Sequence, residues 1–600
     1  MPWARGRLAV ATAAIVLVIG ALYFWTAGTS GDPGRSYHSM LAEGFQHGHA
    51  YLPVTPSPEL LALPDPYDPA QNAPYRLHDA SLYKGRYYLY FGPAPAAVLF
   101  LPLRVVGVDI DDRVAAPLMA TIGYACAALL LLFLIDRWVP RTPTAWRLVA
   151  VAALGLSNVA LFMLRRPAVY ETSIAAGMMF LAAAALALIV GALRERPSLR
   201  LLAAGSLLLG LAVASRANMI LAAPLLVWAW WRALGPRGDR TRRGVLRTTV
   251  AAGAPLAACL ALLALYDAVR FGSPTETGIS YQLAGFNPRT YDFFSWDRLV
   301  PGAWFYLLQP PHFGLDFPFV TLRPEYPGTL TPTFSVEPVA GILTVTPLLA
   351  VLAAVPFVMR RIREERTREM AVLGVVMVAV ALLLPLVSIL SLGGATERYE
   401  VDFAAPLLVP ALVAWLYIAD RARRPRAARR AVLAVGTAAI AFSAFANLAF
   451  GVTGYYDYLR GYHPDVYRRL ERIFSFVPTI ASELQGKPVI TELSPLGVPS
   501  SESLMQLAAP SPGVVTVHGV FLPNPVLPPG TPVRIDARGP DGRGDHGPAG
   551  EAGTTLRLPL STGLNDIRVT WRAVGVPPDL RSAPAGLTMT GVRVVDWDPS

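Results

Sequence analysis

Residues 113–147 read RVAAPLMATIGYACAALLLLFLIDRWVPRTPTAWR, and this stretch decides the fold class. The segment near 113–135 has no charged side chain after Arg113. At about 1.5 Å of rise per residue it is long enough to cross the roughly 30 Å hydrocarbon layer of a bilayer as a helix. Arg137, Arg141 and Arg147 then crowd its far end. An uncharged run closed by arginines is the pattern of a membrane span that ends on the cytoplasmic side.

The same texture recurs along the 600 residues, of which 54% are hydrophobic and only 16% charged. Further candidate spans lie near 8–26, 147–164, 172–193, 199–215, 217–233, 248–266, 337–359, 370–391, 402–419 and 431–452. With the first, they make about eleven transmembrane helices. Arg5 and Arg7 precede the first of them, which has no convincing small-residue cleavage site and reads as an anchor rather than a signal peptide.

The net charge of +11 would suggest a nucleic-acid partner if it lay on soluble surface. It lies instead between apolar runs. Six clusters, at 5–7, 137–147, 194–200, 232–247, 360–368 and 421–430, occupy every second connection and, with the flanking Asp136, Glu369 and Asp420, hold 25 arginines against seven acids. One topology satisfies the positive-inside rule throughout, with the N-terminus cytoplasmic. Cys126 and Cys259 both fall inside spans, where they read as small apolar groups.

The alternate connections are of another kind. Two are long, 27–112 and 267–336, and rich in Pro, Gly, Tyr, Trp, His and Asp. Loops of this composition on one face are where function is expected. The apolar but broken stretch from Tyr88 to Gly107, with Gly92, Pro93, Pro95 and Pro102, reads as an interfacial or re-entrant helix. Residues 1–454 thus form a membrane domain. Residues 455–486 read as an interfacial amphipathic helix and linker, and 487–600 as an extracytoplasmic β-rich domain of small-sandwich type. Within the latter, Gly539 to Gly553 reads as a mobile loop.

Polar groups are scarce inside the spans and gather at their outer ends, which argues against an ion path through the bilayer centre. Asp32 lies just beyond the first span; Pro33 follows it, so an N-cap for the Ser36–His47 helix is an equally good reading. The tyrosines among residues 75–90, Tyr83 included, suit either sugar stacking or an interfacial aromatic belt. His47 and His49, two apart, diverge on a helix and make a poor metal pair. Arg165, Arg166, Arg216 and Arg398 stand on the outer side against the positive-inside trend. Such arginines need anionic partners. A lipid phosphate fits the guanidinium fork, and ion pairs with Glu171, Glu400 or Asp402 that fix helix ends are the alternative.

Taken in order, several pieces resemble a bacterial group of GT-C glycosyltransferases related to family 39, of the dolichyl-phosphate-mannose protein mannosyltransferase and aminoarabinose transferase type. They are Asp32 with the Tyr37-to-Gly48 helix, HDASLYKGRYYLYFGPAP at 78–95, RRPAVYE at 165–171, SRAN at 215–218, YDAVRFGSPTETGISYQL at 266–283 and TERYEVDF at 396–403. The resemblance covers roughly residues 1–455. A lone Asp32 stands where an acidic pair is often found, and the β-rich domain is outside the resemblance.

The resemblance implies a GT-C fold in the bacterial cytoplasmic membrane. The implied activity moves a sugar, with inversion, from a polyprenyl-phosphate donor to a glycan, lipid or protein acceptor at the outer face. It implies Asp32 as general base and Glu171 as a second catalytic carboxylate. Arg165, Arg166, Arg216 and Arg398 become donor-phosphate ligands, and Tyr37, Asp79, Tyr83, Lys84, Arg86 and Tyr281 substrate contacts. Asp267 and Arg270 would shape the second outer loop. Some relatives use a divalent cation near these acids, and nothing in the sequence fixes one. A transporter or lipid flippase, and a glycan polymerase or ligase, are the competing classes. The first is disfavoured by the large outer loops and the absence of a visible repeat.

Overall fold

The computed structural model describes residues 6–31, 34–235, 238–354, 364–422, 426–455, 457–495, 502–523, 533–539, 541–573 and 587–599. The chain divides into two compact units, Met1–Pro311 with Leu322–Tyr456, and His312–Thr321 with Asp457–Ser600.

The first unit is helical and polytopic. Seven described helices are long and apolar enough to cross a membrane: Arg7–Gly28, Asp112–Trp138, Val169–Leu193, Arg242–Phe271, Glu365–Ser391, Glu397–Arg421 and Arg426–Thr453. The other four expected spans are shorter or broken. Residues 147–164 give Thr144–Leu156 and Ala160–Leu164, parted at Val159, whose φ is +66°. Asn447 Oδ1 accepts the Val159 N–H at 3.0 Å, satisfying the backbone at the break. Leu199–Val213 is a single shorter helix. Residues 217–233 begin as a tight 3₁₀ turn before Ala223–Ala233 becomes α-helical with a proline in its first turn. Only Ile342–Val345 and Pro347–Ala354 are described within 337–359. The Ala96–Val105 helix is too short to cross, and Pro102 lies in its last turn.

Burial sorts the spans. Val169–Leu193 and Glu397–Arg421 are 83% and 78% buried within the protein, whereas Arg7–Gly28 and Arg242–Phe271 are 22% and 11% buried and present their sides outward. The two central helices carry Glu171 and Arg398 in their first turns, so the site is built on the two most buried of the seven spans.

The two long outer loops fold together. Helix Tyr37–Gln46 begins at Ser36, whose hydroxyl accepts the Ser39 N–H. Ser36, not Asp32, is thus its N-cap; Asp32 itself lies outside the described residues. Met40 and Leu41 of this helix share a core with Leu52, Leu60, Tyr67, Leu82, Tyr87 and Leu89, and with Leu283 from the second loop. That core rests on the hairpin Ala80–Tyr83/Arg86–Leu89. Leu283 exchanges backbone hydrogen bonds with Asp79 and Ala80 at 3.0 and 2.9 Å, and Arg270 Nη1 donates to the Leu89 carbonyl at 2.6 Å. Asp267 pairs with Arg270 at 2.5 Å, which fixes the start of the second loop.

In the second unit a five-stranded sheet, ordered Gly544–Pro548, Val533–Arg538, Gly563–Ala573, Glu502–Ala509, Val489–Pro495, faces a three-stranded one, ordered Gly550–Leu560, Gly513–Pro523, Leu587–Pro599. Their alternate residues make one core, Met505, Leu507, Ile535, Ile567 and Val569 against Val515, Val517, Phe521, Leu556 and Leu558. The segment expected as a mobile loop instead supplies strand Gly544–Pro548. Its glycines signal close packing: a Cβ on Gly544 would fall on the Ala537 carbonyl. The hairpin His312–Phe313/Val320–Thr321, sent out by the second long loop, belongs to this unit, where the Tyr467 hydroxyl donates to the Phe317 carbonyl at 2.6 Å. Helix Pro464–Ile473 turns Tyr467 and Glu471 inward, while Ile473, Phe476, Ile480 and Leu484 in and beyond it are exposed.

Candidate functional site

Arg398 is the centre of the site. It stands in the 3₁₀ turn Glu397–Glu400 that opens the helix Val401–Arg421, and its side chain is buried. Nη1 donates to Glu171 Oε1 at 3.2 Å and Nη2 to Glu337 Oε1 at 3.3 Å. The guanidinium also lies against three tyrosine rings, Tyr170 at 4.9 Å and Tyr399 and Tyr455 each at 5.4 Å. Arg166 shares the same carboxylate, with Nε 3.5 Å from Glu171 Oε1, and lies 4.6 Å over the Tyr455 ring. Glu171 is fully buried in the first turn of Val169–Leu193 and holds both cations.

Arg216 forms the neighbouring clamp. Its Nη1 is 2.6 Å from Asp402 Oδ2, which also accepts from Asn218 Nδ2 at 3.1 Å. Arg216 lies 4.9 Å from the Tyr399 ring, the ring that Arg398 touches from its own side. Tyr90 stands within the fields of Arg398, Arg216, Tyr399 and Asp79, so these groups border one region.

Asp79 approaches from the first outer loop with a left-handed backbone, φ +60°. Its carboxylate takes a hydrogen bond from Gln282 Nε2 at 2.9 Å and faces His78 Nε2 at 3.2 Å. Burial lifts its pKa above the usual carboxylate value; His78, the Gln282 amide and, further off, Arg398 and Arg76 pull it back. Tyr37 secures this corner, its hydroxyl donating to the His78 carbonyl at 2.6 Å.

Between Asp112–Trp138, Val169–Leu193, Ala223–Ala233, Glu365–Leu383 and Val401–Arg421 lies a half-open apolar pocket. Leu130, Met178, Leu181, Met377 and Val409 are among its walls, and Asp402 is its one charged residue. A second half-open apolar pocket shares Met377 and is lined by Pro410, Val413, Tyr417 and Ile418 of the same helix.

The expected site residues separate into three places. Arg166, Glu171, Arg216 and Arg398 come together, with Asp79 and Tyr37 alongside. Tyr83, Lys84, Arg86 and Tyr281 lie at the outward end of the hairpin and its neighbouring turn. Arg165 stands apart and is fully buried: it donates to the carbonyls of Gly451, Thr26 and Thr29 at 2.6, 3.2 and 3.1 Å and to the Thr29 hydroxyl at 2.6 Å. Through these bonds it ties its own segment to Thr26–Thr29 and to Gly451, and none of them is to Arg166, Glu171, Arg216 or Arg398.

Glu337, Asn218, Tyr90, Tyr399 and Tyr455 were not singled out as site residues by the sequence. Glu337 had one visible signal, a lone acid at the outer start of a span. Glu171 and Asp402 are each held by arginine, and among the described residues no group of three His, Cys, Asp or Glu could hold a metal ion. Among the described residues, these carboxylates do not fit a divalent cation.

No family model matches the sequence, and no curated protein is similar to it. Among solved structures, the chain is similar to the apo oligosaccharyltransferase of Archaeoglobus fulgidus (TM-score 0.41, 14% identity, 74% of this chain and 56% of that one). It is also similar to ArnT from Cupriavidus metallidurans bound to undecaprenyl phosphate (0.37, 13%, 79% and 80%). A third is the arabinosyltransferase EmbB from Mycobacterium smegmatis (0.37, 12%, 95% and 64%). The chain spans a little over half the length of the archaeal protein it matches.

Proposed function

We propose that this membrane protein transfers a sugar from a polyprenyl-phosphate donor to an acceptor hydroxyl at the extracytoplasmic face, with inversion. The observation that carries the reading is the apolar pocket whose one charged wall residue, Asp402, is bonded to Arg216 and Asn218. A ligand for such a site needs a long hydrocarbon tail and an anionic head, which a lipid phosphate has.

In the reaction the acceptor oxygen attacks the anomeric carbon as the bond from that carbon to the phosphate oxygen breaks. The electron pair leaves with polyprenyl phosphate, whose growing negative charge the guanidinium groups of Arg166, Arg216 and Arg398 stabilise. The acceptor proton passes to a carboxylate of the first outer loop, help worth about 10²–10⁴-fold in rate. Asp32 fills this role in the reading by resemblance. Asp79 is the second candidate, on the strength of its burial and its setting between His78 and Gln282. Glu171 acts by holding Arg166 and Arg398 in place.

The test supplies reconstituted protein with labelled polyprenyl-phosphate sugars and follows release of polyprenyl phosphate and labelled glycosyl product. Loss of turnover in Asp32→Asn with retention in Asp79→Asn assigns the base to Asp32, and the reverse assigns it to Asp79. Accumulation of the lipid or sugar across vesicles without a glycosyl product would replace the transferase reading by transport.

A further inference from the structure

The hairpin that carries Asp79 runs from a buried end to an exposed one. Asp79, Ala80, Ser81 and Leu82 are buried, Tyr83 is half-buried, and Lys84, Gly85 and Arg86 are in solvent. Strand Ala80–Tyr83 covers about 13 Å at the usual rise, the scale of a short oligosaccharide. The second loop follows it, since Ser81 bridges Gln282, and Gln282 in turn holds Asp79.

At the outer end the rings of Tyr83 and Tyr281 lie 4.7 Å apart, with Phe271 and Tyr67 at 5.7 and 6.4 Å from Tyr281. Three cations sit on aromatic rings around this cluster: Lys84 5.2 Å from Tyr83, Arg86 4.3 Å from Tyr51 and Arg289 4.1 Å from Tyr67. Among the described residues none of these cations has an ion-pair partner. The nearby acids are turned to other donors, Glu276 to the Gly278 N–H at 2.7 Å and Asp65 to Asn287 at 2.8 Å and the Tyr67 N–H at 3.0 Å.

We infer that this surface docks the acceptor, and that the acceptor is an anionic glycan; the inference rests on the transferase reading. Sugar rings lie along Tyr83 and Tyr281, whose faces are apolar; the Tyr83 hydroxyl donates to the Phe271 carbonyl at 3.2 Å, which fixes its ring. Carboxylate or other anionic substituents meet the Lys84 ammonium and the Arg86 and Arg289 guanidinium groups, each set over an aromatic ring. The hydroxyl to be glycosylated then lies at the Asp79 end of the strand. Gln282, adjacent to Tyr281 and bonded to Asp79, ties platform and carboxylate to one backbone.

The experiment uses the full chain in nanodiscs, with an oligogalacturonate and a neutral oligosaccharide of equal length as probes, and polyprenyl phosphate as a separate ligand. The acidic probe is expected to bind at least tenfold tighter than the neutral one. Arg289→Ala and Tyr281→Ala are expected to weaken it about tenfold, and Tyr281→Phe to retain it. Equal affinity for both probes, or no effect of either alanine variant, overturns the inference. Loss of attachment to anionic vesicles in those variants, with glycan binding unchanged, makes the surface an aromatic membrane belt and overturns it too. If polyprenyl phosphate fails to bind wild-type protein while the acidic glycan binds as expected, the donor reading fails and the docking surface stands.

Discussion

Arg398 Nη1 lies 3.2 Å from Glu171 Oε1, although 227 residues separate them in the chain. The contact joins the outer ends of the two most buried spans and, through Glu337, adds the segment that precedes Ile342–Val345. A carboxylate shared by two arginines offsets their mutual repulsion and keeps their charges close. In the proposed reaction both are then already aimed at the donor phosphate.

Replacing Arg398 by lysine therefore preserves the charge but loses the bridge between Glu171 and Glu337, because an ammonium lacks the guanidinium fork. The expected outcome is a turnover lower by about 10²-fold, comparable to the loss of one oxyanion-binding donor. Glu171→Ala is expected to be worse for the fold. It leaves two buried cations without their shared partner, and removing one side of a buried ion pair costs about 3–5 kcal/mol. Thermal unfolding in detergent, compared with single-turnover rates, separates the two effects.

Arg165 and Arg166 are adjacent in sequence and opposite in assignment. Arg165→Gln is expected to lower the melting temperature while leaving the KM for donor unchanged in the protein that remains folded, because its hydrogen bonds run to backbone carbonyls. Arg166→Gln should raise the donor KM with a smaller thermal effect. A raised KM in Arg165→Gln would return that residue to the site.

Ala405 lines the same apolar pocket as Asp402. Ala405→Phe fills part of that volume and is expected to weaken binding of long polyprenyl phosphates by about tenfold or more, at roughly 0.8 kcal/mol for each methylene no longer buried. Short-chain analogues should bind as they do to wild type. A uniform loss for all chain lengths would show that the tail runs elsewhere.

The sequence made the membrane class legible because hydropathy and charge act locally. Arg137, Arg194 and Arg421 mark their loops whatever the tertiary packing. It also exposed the anomalous arginines, with ion pairs to Glu171, Glu400 or Asp402 as one of two open readings, but not which arginine meets which acid. What it could not show is distance across the fold. Arg165 and Arg166 look alike until Gly451 and Thr29 arrive beside one of them. The break at Val159 depends on Asn447, more than a hundred residues further on. Gly544 and Gly547 read as loop residues because glycine signals both flexibility and close approach, and only the strand beside them decides which.

If Asp79 is the base, activity must rise with pH as its carboxyl loses its proton, with a midpoint above the ordinary carboxylate range because burial raises the Asp79 pKa. His78 opposes that rise, so His78→Ala should move the midpoint to higher pH. A profile whose acid limb stays in place in His78→Ala and in Asp79→Asn would leave Asp32 as the base.

Glu471 sets a second pH dependence, confined to the C-terminal unit. It is buried on helix Pro464–Ile473, and burial, reinforced by Glu492, pushes its pKa to about 7, against the favourable effects of Gln506 and Arg460. Arg460 is paired with Glu492, and Gln506 Nε2 donates to Asp566 at 2.9 Å, so neither is reserved for Glu471. The folded state then binds a proton more tightly than the unfolded chain, whose glutamate titrates near 4.3. The stabilisation is fully present below that value and declines as pH rises towards 7. Amide protection in helix 464–473, corrected for intrinsic exchange, is expected to fall by up to about 10²-fold between pH 5 and 8, equivalent to about 2.7 kcal/mol. Glu471→Gln imitates the protonated acid and should keep its protection across the whole range. Equal pH dependence in wild type and variant would mean that Glu471 is not the group that titrates.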